Sequence, residues 1–133
     1  TYKAKVIRMA SNVKPTPYVE TIFGRRRYIP ELVSKDTGLK NRAERQAFNT
    51  IIQGSAADLM KLALVRAHSC FIDEPDVNVI LTVHDELVTV AREDLAEEAA
   101  EAIRESMEGV KLPEIKVPLI ADLKIVDRWG EAK

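Results

Sequence analysis

Residues Val79 to Val90, Val-Ile-Leu-Thr-Val-His-Asp-Glu-Leu-Val-Thr-Val, constrain this chain more than any other stretch. Two apolar, β-rich runs meet at a charged tripeptide. Val, Ile, Leu and Thr on both sides favour a pleated, half-buried surface. His84, Asp85 and Glu86 resist burial unless they are paired or bound to a metal. The pattern therefore predicts a β-hairpin with a carboxylate pair at its tip. Adjacent carboxylates on a rigid turn suit a hard divalent cation such as Mg2+, which takes oxygen ligands and keeps several waters. On the tripeptide alone, a plain polar hairpin tip is the simpler reading, because acids at turns are common.

The rest of the chain narrows the setting. Its 133 residues are in the range of one domain with a sizeable core. No apolar run reaches the ~18 residues that a membrane span needs, and Thr1 to Met9 lacks the apolar stretch of a signal peptide. Cys70 is the only cysteine, which excludes an internal disulfide. Its helical, largely apolar surroundings predict a small buried hydrophobe in a reducing cytoplasm. The net charge of −1 hides an asymmetry: residues 1–66 hold 13 Lys and Arg against 5 Asp and Glu, and residues 67–133 hold 7 against 16. A basic front half suits contact with a polyanion, and docking on an acidic protein partner fits it too.

In chain order, Tyr2 to Met9 alternates basic and apolar residues as the last turns of a helix do, with no N-cap in view. Lys14-Pro15-Thr16-Pro17 stops it, since proline lacks an N–H and pushes its predecessor toward extended geometry. Tyr18 to Phe23, Gly24 and Arg25 to Ile29 predict a second hairpin, this one basic. Arg25, Arg26 and Arg27 there suit planar, bidentate phosphate binding, or a solvated edge that discourages strand pairing. Leu32 to Lys40 is expected to be a loop.

From Asn41 the apolar positions Ala43, Ala47, Phe48, Ile51 and Ile52 recur at helical spacing. Arg45, Asn49 and Gln53, four apart, then form one row on another face. Such a row offers the donors and acceptors that minor-groove contact needs, and it equally describes a solvated face. Gly54-Ser55 is expected to interrupt or re-cap the helix, with Ser55 as N-cap and Asp58 at the capping-box position. A second helix then runs to about Phe71 on the apolar face of Ala56, Leu59, Met60, Ala63, Leu64 and Ala67. His68 reads as a surface residue near its C-terminus. A strand from Val77 to Val83, the hairpin, and an amphipathic helix from Asp94 to Met107 ended by Gly109 follow. Lys116 to Val126 reads as a final strand with Ile120, Leu123 and Ile125 buried, and Trp129 as a cover for the edge of the core.

Three segments together, Thr21 to Pro30, Ala43 to Asp58 and Val83 to Glu86, resemble the A family of DNA polymerases, the bacterial DNA polymerase I type. The resemblance runs in order from about Tyr18 to Lys133. It implies an α/β (α+β) fold, with an antiparallel palm sheet backed by helices and a catalytic β-hairpin. It further implies that residues 18–133 are the C-terminal part of the palm, with 1–17 a remnant of fingers or linker. The activity implied is template-directed nucleotidyl transfer from dNTP to a primer 3′-hydroxyl with two Mg2+ ions. Asp85 would be a metal ligand and catalytic residue, and Glu86 would stand beside it in support. His84 would lie near the primer terminus, Arg45, Asn49 and Gln53 on the primer-template duplex, and Arg25, Arg26 and Arg27 along the DNA.

The family also uses an aspartate from an earlier motif of the form Asp-Tyr-Ser-Gln-Ile-Glu and a fingers helix with Arg and Lys, and neither is found here. The resemblance therefore implies a partial polymerase domain, inactive by itself and lacking an N-terminal polymerase segment as partner. A noncatalytic DNA-binding remnant, or a subunit completed by another chain, is the alternative. The expected location is cytoplasmic, in a bacterium or encoded by a phage.

Overall fold

The structure is a computed structural model that describes residues 1–110 and 115–132. Its elements are α1 (Tyr2–Ser11), β1 (Tyr18–Glu20), β2 (Arg26–Tyr28), α2 (Thr37–Cys70), β3 (Val77–Val83), β4 (Glu86–Ala91) and α3 (Ala96–Glu108). Short 3-10 turns cover Pro30–Val33, Glu93–Leu95 and Trp129–Ala132. β1 pairs antiparallel with β2, and β3 with β4, in two separate two-stranded sheets. The chain divides into two compact units, Thr1–Asp58 and Leu59–Lys133, with the boundary inside α2.

In the first unit α1 is capped after all: the Thr1 side chain accepts from the Ala4 amide. Asn12 closes the helix two residues before the proline-rich stretch. Ala10, Val19, Ile29, Leu32, Ala43 and Ala47 form the core, with Val6 and Ile51 packed against it. The expected loop from Leu32 to Lys40 is largely structured. Leu32 is buried in the 3-10 turn, and Asp36 Oδ1 accepts from the Leu39 amide, so α2 starts at Thr37.

The expected break at Gly54-Ser55 does not occur, and α2 runs unbroken for 34 residues. Ser55 does not cap a new helix; its hydroxyl donates back to the Ile51 carbonyl and accepts from the Ile22 amide. Gly54 is present because the β1–β2 turn lies against it: a Cβ there would come within 2.9 Å of the Thr21 methyl. Glycine in a helix interior costs roughly 1 kcal/mol in propensity, and at this position close packing decides the residue instead.

In the second unit, Ala63 and Ala67 of α2, Val77, Ala99, Ile103 and Val110 are buried. Gly109 ends α3 as expected, though not in a left-handed conformation, with φ −77°. A Cβ there would lie 2.5 Å from the Glu105 carbonyl oxygen and 2.6 Å from the Arg66 guanidinium, which donates to the Gly109 carbonyl at 2.9 Å. Arg92 fastens the open end of the β3–β4 hairpin. Its amide donates to the Asp76 carbonyl, and its guanidinium bonds Asp76 and Asp94. The hydrogen bond from Arg92 holds the Asp94 carboxyl below the usual carboxylate range.

Two further expectations fail here. Lys116 to Val126 is not a strand, and Ile120 and Ile125 are 78% and 58% exposed. Its β-type residues find no ladder partner among the described residues, and its Ala121 amide donates to Glu108 Oε1 instead. Cys70 is exposed at the end of α2, with its sulfur 3.7 Å from the Ser106 hydroxyl. Trp129 is 42% exposed, and its indole N–H bonds Glu86.

Candidate functional site

The β3–β4 hairpin closes on Val83 paired with Glu86, leaving His84 and Asp85 as a two-residue turn. His84 adopts φ +53° and is the only non-glycine residue with a positive φ among those described. A positive φ on the first turn residue alone belongs to the primed hairpin turn that normally takes glycine there. That geometry matches the right-handed twist of the strands, so the tip is sharply turned. Further along, Ile80 is an extra residue in β3, inserted between the pairs Val79 with Thr89 and Leu81 with Val88. The bulge increases local twist and re-aims every side chain between it and the tip.

His84, Asp85 and Glu86 are all exposed. The two carboxylates are nonetheless in different states. Glu86 Oε1 accepts a 2.7 Å hydrogen bond from the Trp129 indole N–H. Asp85 has no side-chain hydrogen bond or ion pair among the described residues. One or two protein carboxylates, with water and phosphate oxygens completing the shell, is a common way to hold Mg2+, and Asp85 with Glu86 fits that donor set. Among the described residues no three His, Cys, Asp or Glu side chains gather into a fuller metal site.

In the first unit, Arg45, Asn49 and Gln53 are all exposed on the continuous α2 helix, in one row. None makes a side-chain hydrogen bond or ion pair among the described residues. The three consecutive arginines are less free than their exposure suggests. Arg25 donates to Asp58 at 2.7 Å and to the Gly54 carbonyl at 3.1 Å, where Asp58 also accepts from the Thr21 hydroxyl at 2.8 Å. Arg26 pairs with Glu20 directly across the strands at 2.7 Å and lies 4.7 Å from the centre of the Tyr18 ring. Arg27 reaches the Thr50 hydroxyl at 3.4 Å. Gly24, with φ +78°, turns the chain between the strands as expected.

Sequence reasoning missed Asp58 and Trp129 as partners of site residues. The only signals were the position of Asp58 one helical turn beyond Gly54 and the obligatory donor on the indole ring.

The elements define an α+β protein with small antiparallel sheets, an acid-tipped hairpin and a long helix bearing an open polar row. The chain belongs to DNA polymerase family A, whose sequence model matches residues 2–131. It is 45% identical over 116 residues to DNA polymerase I of Pseudomonas aeruginosa, covering 86% of this chain and 12% of that protein. It is 46% identical over 116 residues to the thermostable DNA polymerase I of Thermus aquaticus, covering 87% of this chain and 14% of that one. For the Thermus filiformis enzyme the figures are 41% over 131 residues, with 98% and 15% covered. Among solved structures, the polymerase domain of Pol1 from M. smegmatis, in complex with DNA primer-template and dNTP, matches with a TM-score of 0.80 and 36% identity. That match covers 89% of this chain and 20% of the other. The chain thus spans about one seventh or less of the length of these curated relatives. No described helix is long and apolar enough to cross a membrane.

Proposed function

We propose that this chain contributes to template-directed DNA synthesis: transfer of a nucleotidyl group from dNTP to a primer 3′-hydroxyl, with release of pyrophosphate. Residues 18–133 would form the C-terminal part of the palm, and 1–17 a remnant of fingers or linker. The observation that carries this is the open Asp85 carboxylate on a sharp two-residue turn, in a chain of this family. Two Mg2+ ions, when bound, would activate the primer hydroxyl and stabilise the departing pyrophosphate.

The chain's own residues divide the remaining work. Asp85 offers the metal-binding oxygens, and the hairpin fixes where they stand. Glu86 adds a second negative charge beside it. His84, on the same turn, borders the primer terminus. Arg45, Asn49 and Gln53 present donors and acceptors to purine N3 and pyrimidine O2, which every base pair offers in the minor groove. The hairpin of Arg25, Arg26 and Arg27 runs along the duplex, with Arg25 shaping it through Asp58. The fitting location is the cytoplasm of a bacterium, with a bacterial or phage source.

Asp85 and Glu86 alone make an incomplete site, because two ions held for in-line transfer need further acidic ligands. We propose that another polymerase segment supplies them and that the isolated chain is inactive. A noncatalytic DNA-binding role is the second reading, favoured by the open row on α2 combined with so few acidic ligands. Primer extension with Mg2+ and four dNTPs, run on the chain alone and mixed with an N-terminal segment of a family A polymerase, beside duplex binding over a salt series, separates these: extension only in the mixture supports the incomplete site, and none in either supports the noncatalytic reading. The expected result for the chain alone is salt-dependent binding without extension. Extension abolished by Asp85→Asn would overturn the incomplete-site proposal, and absence of duplex binding would overturn the DNA-facing role of α2.

A further inference from the structure

The Trp129 indole donates to Glu86 from a turn that is itself anchored. Lys124 Nζ donates to the Ala132 carbonyl at 2.7 Å, and the Glu131 amide donates to the Arg128 carbonyl at 2.9 Å, closing the 3-10 turn that carries Trp129. A lysine on the last carbonyls of such a turn satisfies acceptors that would otherwise face water alone. Upstream, the Ala121 amide bonds Glu108 Oε1 at the end of α3 at 2.9 Å. Residues 121–132 therefore form a strap with one end tied to α3 and the other tied to the hairpin tip.

We propose that Trp129 is a positioning residue for the carboxylate pair: it fixes Glu86 beside Asp85 and so strengthens the hold of the tip on a divalent cation. The inference rests on the proposed metal role of Asp85 and extends it to a residue outside the hairpin. The physical grounds are geometric. A glutamate at an exposed hairpin tip has three side-chain torsions free to turn and, unrestrained, samples positions far from its neighbour. The indole N–H is a donor only, so it can bind the ionised carboxylate and cannot itself ligate a cation. It holds Oε1 and leaves Oε2 without a described partner, so one carboxylate oxygen stays available at the tip. Partners that orient a metal-binding carboxylate act through such bonds, and their removal typically weakens metal affinity roughly 10- to 100-fold. The exposure of this contact, with Trp129 42% accessible, places the expected loss at the low end, about tenfold.

Mn2+ is the probe, read by broadening of the Asp85 and Glu86 amide signals in 15N NMR spectra of the full chain. Three variants are compared with the original: Asp85→Asn, Trp129→Phe and Lys124→Met. Trp129→Phe keeps the ring and removes the N–H, and Lys124→Met loosens the turn without touching Trp129 or Glu86. The expected result is loss of broadening in Asp85→Asn, about tenfold weaker binding in Trp129→Phe, and a smaller weakening in the same direction in Lys124→Met. Unchanged or tighter binding in Trp129→Phe, with Asp85→Asn still silent, overturns the role of Trp129 and leaves the metal role of Asp85 standing. Unchanged broadening in Asp85→Asn overturns the metal role itself.

A separate readout addresses the contact without any metal. Trp129 is the only tryptophan, so the chain has a single indole N–H signal. It should move upfield and exchange faster in Glu86→Gln, where a neutral amide replaces the carboxylate. A signal that stays in place shows that the bond is not formed in solution and overturns the inference independently of Mn2+.

Discussion

The β1–β2 hairpin carries three arginines, Arg25 in the connection and Arg26 and Arg27 on β2, and the fold answers each of them. Asp58 and the Gly54 carbonyl take Arg25, Glu20 and Tyr18 take Arg26, and Thr50 meets Arg27. The β3–β4 hairpin carries two acids at its tip, Asp85 in the turn and Glu86 at the start of β4, and the fold answers only Glu86, through Trp129, leaving Asp85 open. Both are two-stranded antiparallel pairs with a positive φ in the connection. They differ in where their charges go. The first uses charge to fasten itself to α2, and the second keeps charge for something outside the described residues. A charged turn thus points to chemistry only after the contacts that consume its charge have been subtracted.

That contrast can be broken or sharpened by substitution. The largest effect on folding should come from Asp58→Ala. It strips partners from the Thr21 hydroxyl and from Arg25, whose side chain is 48% exposed and so partly rehydrates. A loss of about 2–3 kcal/mol in urea unfolding is expected. Gly54→Val should follow, at roughly 1–3 kcal/mol from overpacking against Thr21. An unfolding midpoint unchanged by either would show that the first hairpin is not held by α2.

Asp85→Asn should leave unfolding within about 0.5 kcal/mol of the original, since no described interaction is lost. A large destabilisation there would mean that Asp85 has an internal structural role after all. Joint replacement of Arg45, Asn49 and Gln53 by alanine should also leave stability within about 1 kcal/mol while weakening duplex binding, measured by fluorescence anisotropy. The smallest change is expected for Arg26→Ala. Its pair with Glu20 is exposed and screened by solvent, and any phosphate contact would show as a drop of about one in the salt slope.

Much of this was readable in the chain itself. The bounds of β3, the charged hairpin tip around His84, Asp85 and Glu86, the glycine turn at Gly24 and the exposed row on α2 follow from alternation and helical spacing, which are local, although the tip closes tighter than expected, with Glu86 already in β4. The failures share a non-local cause. Gly54 and Ser55 look like a helix break until the β1–β2 turn is seen to pack on them and engage the serine hydroxyl. Val117 to Val126 has strand composition but no partner in the ladder. At the hairpin tip, the presence of two adjacent acids was legible, and their different contacts were not. That difference depends on Trp129, 43 residues further on, whose donor has no sequence pattern linking it to Glu86.

The central claim is that the open carboxylate of the second hairpin serves nucleotidyl transfer and that the arginines of the first hairpin are largely structural. The direct test places this chain in the corresponding region of a full-length family A polymerase and measures single-nucleotide incorporation with Mg2+. The expected result is incorporation by the chimera, a loss of at least ~10²-fold in Asp85→Asn, and a change within about threefold in Arg26→Ala. Retained incorporation in Asp85→Asn would contradict the account.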